Sequence, residues 1–141
     1  MYSSKNIILL KFFNLGVIII IFYFSIIEIS NIPIENKNLP SDKILHLGAY
    51  LILGLSTVLA KWEFLSPKKL DKFKINEEIE IYFFVIFICF IYGIIIEIIQ
   101  NFVPSRNFDF LDILANGIGI FIGIFIHFFF QNLLRLKKRS S

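Results

Sequence analysis

Apolar residues along this chain collect in four long blocks, at about 7–29, 44–60, 79–103 and 110–134, with polar stretches between them. Each block is close to the ~20 residues that carry an α-helix across a bilayer core. Phe12 to Ile27 holds no charged residue, and the stretch 79–96 holds only Glu80. The pattern predicts an all-α, integral membrane bundle of four transmembrane helices forming a single domain over residues 1–141. The stretch 30–41 carries Pro33, Pro40 and several asparagines and reads as irregular backbone. Ser41-Asp42 then makes a helix start, with Asp42 well placed for the dipole. The stretch 61–78 contains a Ser66-Pro67 turn and mixes Lys68, Lys69, Lys72 and Lys74 with Asp71, Glu77 and Glu78. It reads as a solvated loop, with a short helix lying at the lipid headgroups as the alternative.

Composition removes the soluble alternative. The hydrophobic fraction is 57% and the mean hydropathy +0.77, whereas soluble domains sit near half apolar. A soluble domain of 141 residues lacks the polar surface to cover so many Ile and Phe side chains. The formal charge of +3 does not indicate nucleic acid, because the basic residues bracket the apolar blocks and form no patch interleaved with aromatics. Cys89 is the single cysteine, which excludes an internal disulfide and leaves a buried structural thiol. Lys5 and Lys11 ahead of the first block resemble the start of a signal peptide. Ile26-Ile27-Glu28-Ile29 follows in place of a small-x-small cleavage site, so a retained anchor is expected.

Charge also sets an expected orientation. Of the 14 Lys and Arg, all but Lys37, Lys43 and Arg106 fall in the N-terminal flank, the middle loop and the C-terminal tail. Basic residues are retained on the cytoplasmic side, so both termini are expected in the cytoplasm of a cytoplasmic-membrane protein.

Polar residues inside apolar blocks are costly and therefore informative. The second block opens Asp42-Lys43-x-x-His46-x-x-x-Tyr50, and Asp42, His46 and Tyr50 share a helix face at i, i+4, i+8. The third ends Gly93-x-x-x-Glu97-x-x-Gln100-Asn101, and the fourth opens Asp109-x-x-Asp112-x-x-x-Asn116-x-x-Gly119-x-x-x-Gly123. Those five positions of the fourth block fall within a sector of about 80°. Val103-Pro104-Ser105-Arg106-Asn107 makes a turn at the same level. Three helices thus bring polar faces to the outer interface. In the first block Asn14, Gly16, Tyr23 and Ser25 share no narrow face, so that helix is expected to pack by apolar contact alone, with Glu28 at its outer end. Capping and hydration account for Asp42, Lys43, Arg106 and Asp109 as readily as a site does. Asp112 and Asn116 lie deeper and need partners. Glu97 needs Arg106, Lys43 or His46 beside it to stay ionised. Gly119 and Gly123 indicate close helix packing, within the chain or between copies. His127, near the inner end, reads as an interfacial residue.

The stretches Asp42-Lys43-x-x-His46-x-x-x-Tyr50-x-x-x-Gly54 and Tyr92-Gly93-x-x-x-Glu97-x-x-Gln100-x-x-Val103-Pro104-x-Arg106-x-x-Asp109-x-x-Asp112-x-x-x-Asn116-x-x-Gly119 resemble the two signatures of the VanZ-like family of bacterial membrane proteins. The similarity covers about residues 12–130. Ser105 departs from it, since the family often has Gly there. The resemblance implies a cell-envelope setting and, through the family's name, glycopeptide (teicoplanin) resistance; it brings no assigned reaction.

Three functions fit these residues. One is binding of a membrane lipid, lipid-linked envelope molecule or amphiphilic antibiotic. Its head group would lie against Arg106 and Lys43 within the cluster of Asp42, His46, Tyr50, Glu97, Gln100, Asp109, Asp112 and Asn116. The second is an enzyme acting on a lipid-linked substrate, with His46, Glu97 and Asp112 in acid–base roles; no nucleophile with a recognised context and no phosphate loop accompanies them. The third is a structural role in which the cluster only locks the helices. His46, Glu97 and Asp112 are conceivable metal ligands, but one histidine with scattered carboxylates is poor zinc spacing, so no metal and no cofactor are assigned. The oligomeric state is left open.

Overall fold

The computed structural model describes residues 4–27, 42–62, 75–104 and 106–139. Four α-helices lie among them, with no strand: α1 (Ser4–Ile26), α2 (Asp42–Trp62), α3 (Ile75–Gln100) and α4 (Phe110–Arg139). All four are long and apolar enough to cross a membrane. At 1.5 Å per residue they are roughly 30–45 Å long. The expected irregular stretch at 30–41, the Ser41 cap, Glu28, most of the middle loop with its surface-helix alternative, and Ser105 lie outside the described residues.

The helix ends shift from their sequence positions for local reasons. α1 and α3 begin earlier than the apolar blocks, and α4 runs past its block to Arg139. Polar residues next to an apolar run continue its backbone hydrogen bonding at no solvation cost once they reach water. α3 stops at Gln100, three residues before the apolar block ends, and Asn101 to Pro104 form tightened turns, with Val103 N–H donating to Gln100 O at 2.9 Å. Pro104 cannot donate and pushes the residue before it out of helical geometry. Asp109 caps α4, its Oδ1 accepting from Leu111 N–H at 2.8 Å.

α2 touches each of the other three helices and packs most extensively on α4. The α2–α4 pair is parallel: Gly119 sits against Leu47 and Leu51, and Gly123 one turn on against Leu51 and Leu55. A Cβ on either glycine would meet a backbone carbonyl of α2, Leu47 O or Leu51 O, and one on Gly54 would lie 2.8 Å from Ile120 O. The small residues let two backbones touch, which is how helices associate where lipid removes the hydrophobic drive between them. The glycine pair thus serves a contact inside the chain. Around this seam Ile21, Tyr50, Leu53, Val58, Val85, Cys89, Ile120 and Ile124 form the core. Phe12, Ile44, Phe83 and Phe121 are more than half exposed, as a lipid-facing surface requires.

Two expectations are corrected. α1 does not pack by apolar contact alone: Asn14 Nδ2 donates to Ser56 Oγ at 3.0 Å and Thr57 Oγ1 at 2.8 Å, and Tyr92 donates to Ile18 O at 2.8 Å. A single amide needs no polar face to make a cross-helix bond, so face counting missed it. His127 is buried, not interfacial; Tyr82 Oη lies 3.3 Å from its Nδ1 and Gln131 Nε2 3.4 Å from its Nε2.

Candidate functional site

The close α2–α4 seam sets the polar cluster at the N-terminal ends of these two helices. Because both helices start at the same end and run parallel, their first turns face each other. Lys43 Nζ lies between two carboxylates of α4, 2.6 Å from Asp109 Oδ2 and 3.1 Å from Asp112 Oδ1. The ammonium beside Asp109 is the main cause holding that carboxyl below the usual aspartate range, helped by the Leu111 amide. One turn deeper, His46 Nδ1 meets Asn116 Oδ1 at 3.0 Å. Asp112 and Asn116 are both buried.

α3 adds the most deeply buried carboxylate of the cluster. Glu97 is 0% exposed, and a charge there needs partners. Its Oε1 is 3.5 Å from His46 Nδ1. With the Gln100 amide turned so that its nitrogen faces the carboxylate, Gln100 donates to Oε1 at 3.1 Å and to Oε2 at 3.3 Å. Of the three partners considered from sequence, His46 is the one beside Glu97, while Lys43 and Arg106 engage the aspartates. Tyr50 lies under His46, the rings parallel within 9° and 6.5 Å apart. Gly93 makes room for it, since a Cβ there would be 3.1 Å from Tyr50 Cε1.

Nε2 of His46 points the other way, 3.9 Å from Asp42 Oδ1 and 4.0 Å from Asp112 Oδ2. Asp42 is the outermost member, its side chain 55% exposed, with Arg106 Nη1 at 3.8 Å. Arg106 also donates through Nη2 to Phe24 O of α1 at 3.3 Å. Its Nε is buried with no hydrogen-bond partner among the described residues, as are Tyr50 Oη and Asn116 Nδ2.

Beside this cluster α1 and α2 enclose a cleft of ≈ 470 Å³. Ile20, Ile21, Phe24, Leu45 and Ala49 give it apolar walls, while Asp42, His46, Tyr50, Gln100 and Arg106 line its polar end. All ten sequence candidates therefore meet in one cluster. Asn101, adjacent in sequence, stays exposed in the turn. The wall from α1 was missed, because its residues are apolar on every side and no periodicity marks the inward face.

The VanZ/LLP1 family profile matches residues 3–131. No curated protein and no solved structure matches the chain.

Proposed function

The chain belongs to the VanZ/LLP1 family, and from that premise we propose that it binds a membrane amphiphile with an anionic head group in the cleft between α1 and α2. The observation that carries this reading is Arg106 at the polar end of an apolar cleft, its Nε buried and without an acceptor. An unmet guanidinium donor is costly, and an anionic oxygen satisfies it with a charge-assisted bond. The cleft volume of ≈ 470 Å³ suits a head group and the first part of a chain. Lys43, the other cation considered from sequence, is occupied by Asp109 and Asp112, so Arg106 carries the recognition. With both termini cytoplasmic, as the basic residues favour, the cleft opens to the outer leaflet, where lipid-linked envelope molecules and amphiphilic antibiotics are met.

The test is lipid retention. Protein purified from mixed vesicles is expected to keep an anionic phospholipid over a zwitterionic one of the same acyl composition. Arg106→Gln is expected to lose about tenfold of that preference, the worth of one charge-assisted bond. Equal retention by wild type and Arg106→Gln overturns the reading. A glycopeptide arm in the same assay separates antibiotic from lipid, and a C-terminal reporter active only in the cytoplasm tests the orientation.

An enzyme is the second reading, favoured by Glu97 behind His46 while Nε2 faces the cleft. That is the arrangement of a histidine oriented for proton transfer. It predicts a lipid precursor that accumulates in cells carrying His46→Gln; an unchanged lipid profile removes it.

A further inference from the structure

We propose that His46, Asp42 and Asp112 form a zinc site at the outer end of the bundle. The argument starts at the other side of the imidazole. Two oxygens face Nδ1, Asn116 Oδ1 at 3.0 Å and Glu97 Oε1 at 3.5 Å. With the Asn116 amide placed so that its Oδ1 accepts, the ring proton sits on Nδ1 and the lone pair on Nε2. That lone pair, in a ring 8% exposed, is aimed at Asp42 Oδ1 and Asp112 Oδ2, 3.9 and 4.0 Å away. The three ligand atoms all lie within 4.8 Å of one another. Three acceptors converge; among the described residues the nearest donors stand at the rim, Arg106 Nη1 3.8 Å from Asp42 Oδ1 and Lys43 on the other oxygen of Asp112, and a cation between the three atoms completes the arrangement.

The surroundings fit a metal in particular. Metal-bound histidines characteristically direct the second ring N–H to a carboxylate or amide oxygen, which fixes the ring and strengthens the ligand; Glu97 and Asn116 stand there. Asp112 divides its oxygens, Oδ1 accepting from Lys43 at 3.1 Å and Oδ2 facing His46. Lys43 thereby orients the carboxylate without occupying the site. Zinc held about 2.1 Å from nitrogen and oxygen ligands needs them roughly 3.4 Å apart, so the two gaps to His46 must close by roughly half an ångström and the gap between the carboxylates by up to about 1.4 Å. Asp42, with its side chain 55% exposed, can swing to do so. One imidazole and two carboxylates would leave a fourth position for water or another ligand, and two of the three ligands, Asp42 and His46, also line the cleft. The fit differs from the sequence candidates by one ligand: Asp42 takes the place of Glu97, which stands behind the histidine. The triad was not legible as a signature because its third member comes from α4, 66 positions after His46.

The site is tested on the full chain in nanodiscs of zwitterionic lipid, stripped with chelator and titrated with Zn²⁺ against a fluorescent zinc indicator. The wild type is expected to bind about one zinc per chain and to melt higher with zinc than without. Asp42→Asn and His46→Gln are each expected to weaken binding by about tenfold or more, Asp42→Asn with the melting temperature of the zinc-free wild type. His127→Gln, at the far end of the bundle, is expected to bind as wild type does. Wild type that binds no zinc overturns the proposal, as do Asp42→Asn and His46→Gln proteins that bind it undiminished. No anionic lipid is present, so failure here leaves the amphiphile reading standing. Loss of lipid preference in Arg106→Gln likewise leaves zinc binding in place.

Discussion

Replacing Gly119 by alanine adds one methyl group at one of the two equally close points of the α2–α4 seam, the other being Gly123. Its Cβ would meet the Leu47 carbonyl oxygen, with Leu51 N at 2.9 Å and Leu47 C at 3.2 Å. A carbon against a carbonyl oxygen rests at about 3.3–3.6 Å. The obstacle is backbone in the middle of a helix, so neither helix yields by a rotamer change and the two must part. Overpacking of a rigid contact costs about 1–3 kcal/mol, and backbone on backbone belongs at the upper end. Alanine returns about 1 kcal/mol through helix propensity, leaving a net loss of about 2 kcal/mol, a roughly thirtyfold shift toward the unfolded state. Gly16 is the internal control, since nothing lies within 4 Å of a Cβ there; Gly16→Ala is expected to stabilise by up to about 1 kcal/mol. Cys89, 3% exposed in the core, reports the opening. Its maleimide labelling through a titration with sodium dodecyl sulfate in mixed micelles gives the midpoint for each variant. Because the seam also sets the His46–Asn116 contact, Gly119→Ala is expected to bind zinc more weakly too. A Gly119→Ala midpoint at or above that of wild type, with Gly16→Ala shifted upward, refutes the reading of the seam.

Asn14→Leu, which removes both hydrogen bonds to α2, is expected to lower stability by about 0.6–1.7 kcal/mol in the same titration. An unchanged midpoint returns α1 to purely apolar packing. Lys43→Met is expected to lower the midpoint of the same titration clearly, because it strands Asp112, whose side chain is 7% exposed. Asp109→Asn keeps a capping oxygen and breaks an exposed pair, so it is expected to shift the midpoint much less than Lys43→Met does; equal losses contradict the role given to Lys43. Gln100→Leu leaves Glu97 without its amide donor and is expected to cost about 1–3 kcal/mol. Adding Glu97→Met is expected to restore part of that loss, whereas a double variant worse than the single excludes the Glu97–Gln100 pairing.

The sequence alone determined the class of the molecule and the membership of its polar cluster. Chain length per apolar block is a one-dimensional quantity matched to bilayer thickness, so four spanning helices were legible without contacts. The i, i+4 spacing of Asp42, His46 and Tyr50 was legible for the same reason, because helix geometry fixes which residues share a face. Partnership was not legible. Lys43 serves Asp109 and Asp112, Arg106 reaches Phe24 O, and Glu97 is held by His46 and Gln100; each follows from interhelical register. Two glycines opposite the backbone of α2 set the register of α4, and the sequence shows the small residues but not which helix they admit. The inward face of α1 was invisible too, because every face of that helix is equally apolar and only its neighbours select one. In lipid a run of Ile and Phe carries no mark of inside and outside, so tertiary packing alone decided which side of α1 walls the cleft.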